Sequence, residues 1–164
     1  MRTITAKIIK DTVADLCIRA NIFLRPDVLQ GLQQALARET KPRAKKILEA
    51  IIENARIARR QGLAVCQDTG MPLVFAEVGR KVKLRGDLRA AINKGIELGY
   101  RRGFLRNSIV KDPLVRGSWG YVPSVIHVDI VKGDRLKLTV LPKGFGCENK
   151  SQLKMFNPTA GIST

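Results

Sequence analysis

With 164 residues the chain has room for one hydrophobic core, which excludes a multi-domain enzyme within it. A hydrophobic fraction of 45% beside 27% charged residues is that of a globular protein and excludes a disordered or collagen-like chain. Thirty Lys and Arg against fourteen Asp and Glu leave a formal charge of +16, which points to an anionic partner without choosing among nucleic acid, membrane surface and acidic metabolite.

Cys17, Cys66 and Cys147 are an odd number at wide spacing, so neither a disulfide framework nor a zinc ribbon is indicated and a reducing cytoplasm is the expected location. At the N-terminus Lys7, Lys10, Asp11 and Asp15 interrupt the apolar residues, so no signal-peptide core is formed. Nowhere does an apolar run approach the roughly 20 residues of a membrane span, so no membrane partner is expected.

The first third reads as helices. Ile9, Val13, Leu16 and Ala20 recur at helical spacing, with Cys17 beside them as core filler. A second helix is expected from Pro26-Asp27, with the stripe Val28, Leu29, Leu32, Ala35 and Leu36. A third follows Thr40-Lys-Pro42; its wide stripe of Ile47, Leu48, Ile51, Ile52, Ala55 and Ala58 stops before Gly62.

Beyond Gly62 the period changes. Leu73–Val78, closed by Gly79, suits a buried strand, and Leu88, Ala91, Ile92 and Ile96 return to helical spacing. From Val125 to Leu141 the alternation is strict, Ile126, Val128 and Ile130 being echoed by Leu136, Leu138 and Val140 across Lys132-Gly133-Asp134, and this predicts a β-hairpin. His127 falls on the opposite face and reads as structural. The expected fold class is α+β, helical over residues 1–62 and mixed helix and strand over 63–164. The chain stops at Thr164 with nothing to cover the hairpin, so a truncated domain is expected.

Three segments hold residues suited to chemistry. Cys66-Gln67-Asp68-Thr69-Gly70 sets a thiol, an amide, a carboxylate and a hydroxyl consecutively on a loop, a set able to bind a metal and a polar ligand or, equally, to form an ordinary polar turn. Gly144-Phe-Gly146 allows a close backbone approach to a ligand, although the phosphate-binding pattern G-x-x-x-x-G-K-S/T is absent and a plain turn reads as well. Arg106 follows a helix bearing Arg101 and Arg102 and can hold a carboxylate in bidentate fashion, where a solvated basic helix end is the alternative.

In order, these segments resemble the N-terminal part of the class I, iron-sulfur fumarate hydratases and the related tartrate dehydratase alpha subunits. The resemblance spans essentially the whole chain. It rests on Glu53-Asn-Ala55, Cys66-Gln-Asp-Thr-Gly70, Leu105-Arg-Asn-Ser108, Asp112-Pro-Leu114, Arg116, Val125-Ile-His127, Val131-Lys-Gly-Asp134, Pro142-Lys-Gly-Phe-Gly146 and Glu148-Asn-Lys-Ser151. It implies a hydro-lyase acting on a small dicarboxylate, fumarate/malate or tartrate, through a [4Fe-4S] cluster with one iron open to substrate. By the same resemblance Cys66 is a cluster ligand, Gln67 and Asp68 contact substrate with Asp68 the catalytic acid, Arg106 clamps a carboxylate, and Gly144 and Gly146 bring backbone to the substrate.

The family's other two cluster cysteines lie beyond Glu148-Asn-Lys-Ser151, and Cys147 stands where the family has a small residue such as Ser. One family ligand of three is therefore matched, and the chain alone is expected to be incomplete. Its implied partners are the C-terminal remainder of the alpha subunit and a beta subunit or C-terminal domain, in a homo- or hetero-oligomer. Arg116-Gly-Ser-Trp-Gly-Tyr-Val-Pro123 departs from the family's Arg-x-Asn-Thr-Gly. Two other readings compete: an inactive remnant serving as a binding or assembly module, and a basic nucleic-acid-binding protein. Lys41, Arg43, Lys45, Lys46, Arg56, Arg59 and Arg60 suggest the latter, but no stacking aromatics or nucleic-acid motif accompany them.

Overall fold

The computed structural model describes residues 2–110, 112, 114–146, 149 and 151–161. Its elements run β1 (Arg2–Thr5), α1 (Ala6–Ile22), α2 (Pro26–Arg38), α3 (Pro42–Gln61), β2 (Met71–Gly79), β3 (Val82–Arg85), α4 (Leu88–Arg102), β4 (Ile109–Val110), β5 (Trp119–Gly120), β6 (Val125–Val131) and β7 (Leu136–Lys143). The class is α+β, as the periodicities predict. Among the described residues no helix is long and apolar enough to cross a membrane.

Local chemistry explains the helix ends. Thr5 caps α1 by accepting the Ile8 N–H at 3.4 Å, and Asp87 caps α4 by accepting the Ala90 N–H at 2.9 Å. Proline opens α2 and α3, where no N–H is needed, and Gly62 ends α3 in the left-handed region at φ 68°. The short strands β1 and β3 pair in parallel, Arg2 opposite Val82 through Thr5 opposite Arg85. Neither is visible as a pattern in the sequence, because four residues are too few for a period to register.

The core forms where α1 and α4 meet the sheet. Ile9, Val13 and Cys17 of α1 pack with Ile92, Ile96 and Tyr100 of α4 and with Val74 and Ala76 of β2. Two glycines let the helices come this close. A Cβ on Gly95 would lie 2.6 Å from the Lys10 carbonyl oxygen, and one on Gly99 2.6 Å from that of Ala14. Cys17 is thus core filler as expected, packed against α4; burial pushes its thiol up to about 12. Leu16 and Ala20 of the expected stripe are only half-buried, while Ala14 is buried.

The hairpin expected over Val125–Leu141 does not form. In the three-stranded sheet the order is β6-β2-β7, with β2 parallel to β6 (Val74 opposite Ile126) and antiparallel to β7 (Val74 opposite Val140). Alternation reports which residues share a face, and that part holds, since Val74, Ile126 and Val140 line up across one face. It does not report which strand is the neighbour. The 132–135 connection spans two strand spacings, roughly 10 Å, and the end of β2 fills its mouth. Gly79 donates to the Arg135 carbonyl at 2.8 Å, Arg80 to that of Val131 at 2.9 Å and Lys81 to that of Gly133 at 2.9 Å. No side chain fits at position 79, where a Cβ would come within 2.7 Å of the Gly133 oxygen. Of the strand's apolar face only Ile126 packs on the core; Val128 and Ile130 are exposed. On the sheet's other face His127 is exposed and stacks on Phe75, ring centroids 5.0 Å apart.

Candidate functional site

The segment between α3 and β2 is tied down from both sides. Val65 donates its N–H to the Asn21 carbonyl on α1 at 2.9 Å, and the Asn54 side chain on α3 donates to the Val65 carbonyl at 2.8 Å. Asn21, itself buried, spends its amide on the Cys17 carbonyl at 2.9 Å. The Asn of Glu53-Asn-Ala55 therefore holds the loop that follows. Its signal in the sequence is a polar residue set beside the apolar stripe of α3.

On this base Cys66 is exposed, its thiol 3.5 Å from the Gln67 side-chain oxygen and accepting the Asp68 N–H at 3.4 Å. It lines none of three described cavities; one of these, about 660 Å³ between α1, α2 and α3, is bordered by Leu16, Phe23, Leu29 and Arg56. Asp68 reaches the other candidate loop, accepting the Gly146 N–H at 2.7 Å. That bond, with the Phe145 N–H and the charges of Arg106 and Lys143, holds its carboxyl below the usual carboxylate range against a smaller opposing effect of burial. Asp68 is accordingly an ionised acceptor in this arrangement.

The glycines are explained by the same contact. A Cβ on Gly144 would lie 2.9 Å, and one on Gly146 3.2 Å, from Asp68 Oδ2. Gly70, at φ 57°, crosses beneath the end of β7, where a Cβ would sit 1.9 Å from the Lys143 carbonyl oxygen. Arg106 is brought beside the Cys66 loop through its main chain, which the Thr69 hydroxyl meets. Its guanidinium-bearing side chain is exposed. Sequence reading singled out Cys66, Gln67, Asp68, Arg106, Gly144 and Gly146, which lie on these adjoining loops. It read the Thr69 hydroxyl as part of a ligand-binding set and assigned no role to Tyr100 or Asn54; these three hold the loops there.

Elsewhere the motifs prove to be local structure. Asp112 accepts the Leu114 and Val115 N–H groups at 2.8 and 3.0 Å, closing a turn. Trp119 is exposed and pairs with Val110 in the short β4–β5 ladder. Cys147 and Glu148 lie outside the described residues. Among the described residues no three His, Cys, Asp or Glu side chains converge to hold a metal ion. Of their two free thiols Cys17 is buried in the core, which leaves Cys66 as one accessible thiol where a cluster needs several. The described residues do not by themselves hold a [4Fe-4S] cluster.

These adjoining loops occur in a chain whose residues 10–164 match the model of the fumarate hydratase (Fumerase) family, and the chain belongs to that family. Among curated proteins it is 34% identical over 162 residues to a Methanocaldococcus jannaschii protein described provisionally as an L(+)-tartrate dehydratase alpha subunit, covering 94% of this chain and 56% of that one. It is 26% identical over 155 residues to the L(+)-tartrate dehydratase alpha subunits of Escherichia coli strains UTI89 and K12, covering 92% of this chain and 51% of theirs. The chain thus spans about half the length of the curated relatives it matches.

Proposed function

We propose that this chain is the N-terminal part of the catalytic domain of a hydro-lyase that reversibly hydrates or dehydrates a small dicarboxylate, fumarate/malate or tartrate. The observation that carries this reading is the joining of two distant motifs, Asp68 of the cysteine loop accepting the Gly146 N–H at 2.7 Å, with Arg106 main chain held against Thr69 in the same loop. Family membership and the alpha-subunit relatives support it. In this reading Arg106 pairs with a substrate carboxylate, Gln67 and the 144–146 backbone supply further polar contacts, and Cys66 is one ligand of an iron-sulfur cluster completed by cysteines from outside the described residues. In this reading Asp68 is the catalytic acid, so its carboxylate, held ionised by the Gly146 N–H in this arrangement, takes up a proton before it delivers one, and the catalytic base comes from the C-terminal domain or beta subunit. The remaining half of an alpha subunit and a beta subunit are the proposed partners, in a reducing cytoplasm.

The test is anaerobic reconstitution of the chain, alone and with a supplied remainder of a relative's alpha subunit and its beta subunit. The mixture is expected to bind iron and sulfide and to turn over malate or tartrate, and Cys66→Ala to abolish both. Full activity of Cys66→Ala would overturn the ligand assignment.

A further inference from the structure

Thr69 is 2% exposed, although its neighbours Gln67 and Asp68 reach solvent or half-buried surroundings. Its hydroxyl accepts the Arg106 N–H at 3.0 Å and lies 3.3 Å from the Arg106 carbonyl, to which it donates, so one side chain satisfies both main-chain groups of a single residue 37 positions away. The Thr69 carbonyl in turn accepts the Tyr100 hydroxyl at 2.8 Å. Tyr100 is 1% exposed on α4, and its own carbonyl accepts the Leu105 N–H at 2.9 Å. The circuit closes: α4 holds Thr69, Thr69 holds Arg106, and α4 also holds the residue before Arg106.

Within it the side chains part company. Leu105 is buried in the core while Arg106 points outward, so the main-chain orientation at 105–106 decides where the guanidinium emerges relative to Cys66. Apolar packing of Leu105 fixes the depth of the segment but is tolerant of rotation, since dispersion contacts have little direction. The two hydrogen bonds to Thr69 are directional and remove that freedom.

Resting on the dicarboxylate reading above, we propose that Thr69 is a positioning residue that sets the aim of Arg106 toward the substrate carboxylate. A hydroxyl is required at position 69. Valine matches threonine in shape but removes the hydroxyl that meets the part-buried Arg106 N–H and carbonyl, whereas serine keeps both hydrogen bonds and loses only a methyl group.

The experiment uses the full chain combined with the supplied alpha-subunit remainder and beta subunit of the reconstitution above, with three variants of the chain, Thr69→Val, Thr69→Ser and Tyr100→Phe. Amide hydrogen exchange at Arg106 and NMR titration with malate and with tartrate are read for each. Thr69→Val is expected to exchange at least about 10-fold faster at Arg106 and to bind dicarboxylate about 10-fold more weakly, with the Ile92 and Ile96 amides of α4 unchanged. Thr69→Ser is expected to restore both to within about 3-fold, and Tyr100→Phe to loosen Arg106 by a smaller factor. Wild-type values in Thr69→Val, or a Thr69→Ser as impaired as Thr69→Val, would overturn the assignment. Should Thr69→Val fail to fold, Tyr100→Phe decides, with unchanged Arg106 exchange counting against the circuit. If the wild type binds neither acid, the dicarboxylate reading falls and the positioning role toward that substrate falls with it, while a fast-exchanging Thr69→Val rescued by serine would still establish the main-chain clasp.

Discussion

The unit formed by α1, α4 and the β6-β2-β7 sheet can be set against the arm formed by α2 and α3. Both are built from amphipathic segments, and α3 carries the widest apolar stripe in the chain. Yet the unit buries Val13, Cys17, Val74, Ile92 and Ile96 to within 1% exposure, while α2 has no buried residue and Ile47 of α3 is 55% exposed. What separates them is partnership. Gly95 and Gly99 let α1 and α4 touch backbone to side chain, whereas α2 meets little besides α3. Periodicity marks a face suited to burial; it does not supply the surface that buries it.

The sharpest way to break this comparison is to cut into the unit. Ile96→Ala is expected to lower the free energy of unfolding by about 2–5 kcal/mol, because the residue is enclosed and its cavity cannot fill from solvent. Urea denaturation measures it, and a change near zero would mean that cooperative stability lies elsewhere.

A smaller effect comes from alkali. Burial raises the folded-state Cys17 thiol from 9.0 to about 12, so the folded form favours the proton. The stabilisation is complete below the unfolded value and is lost as pH climbs from 9 toward 12, reaching about 2 kcal/mol by pH 10.5. Tyr100, also raised by burial, adds a slope of the same sign. Comparing urea midpoints at pH 7 and 10.5 should show the loss, and Cys17→Ala should reduce it; an identical slope in that variant would remove the thiol as its source.

The smallest effect is expected in the arm. Ile47→Ala should change stability by no more than about 0.5 kcal/mol, as an exposed side chain has little burial to lose. A loss above 1 kcal/mol would show that the arm is packed in solution and would erase the contrast.

The same contrast sets what could be read in advance. The helices α1, α3 and α4 and the strand β2 were legible because each carries a full period of apolar residues. The neighbour of β6 was not, since Ile126, Val128 and Ile130 read identically whether β7 or β2 lies beside them. In the candidate site Cys66, Asp68, Arg106 and Gly146 stood out by their chemistry. The holding role of Thr69 and Tyr100 did not, because they act on main-chain groups of distant residues, and a hydroxyl aimed at a carbonyl leaves no mark in sequence spacing. The glycines at 144 and 146 were legible as a close approach, but the group that approaches is the Asp68 carboxylate.

The seating of β2 between β6 and β7 bears on the order in which the molecule assembles. The two outer strands, close along the chain, gain no ladder from each other, so the quick local step open to an ordinary hairpin is denied to them. Each must wait for a middle strand made before α4, and that search closes a long loop before any pairing rewards it. Gly79, lodged in the mouth of the 132–135 connection, clasps that long-range arrangement, and a side chain there would weaken the product.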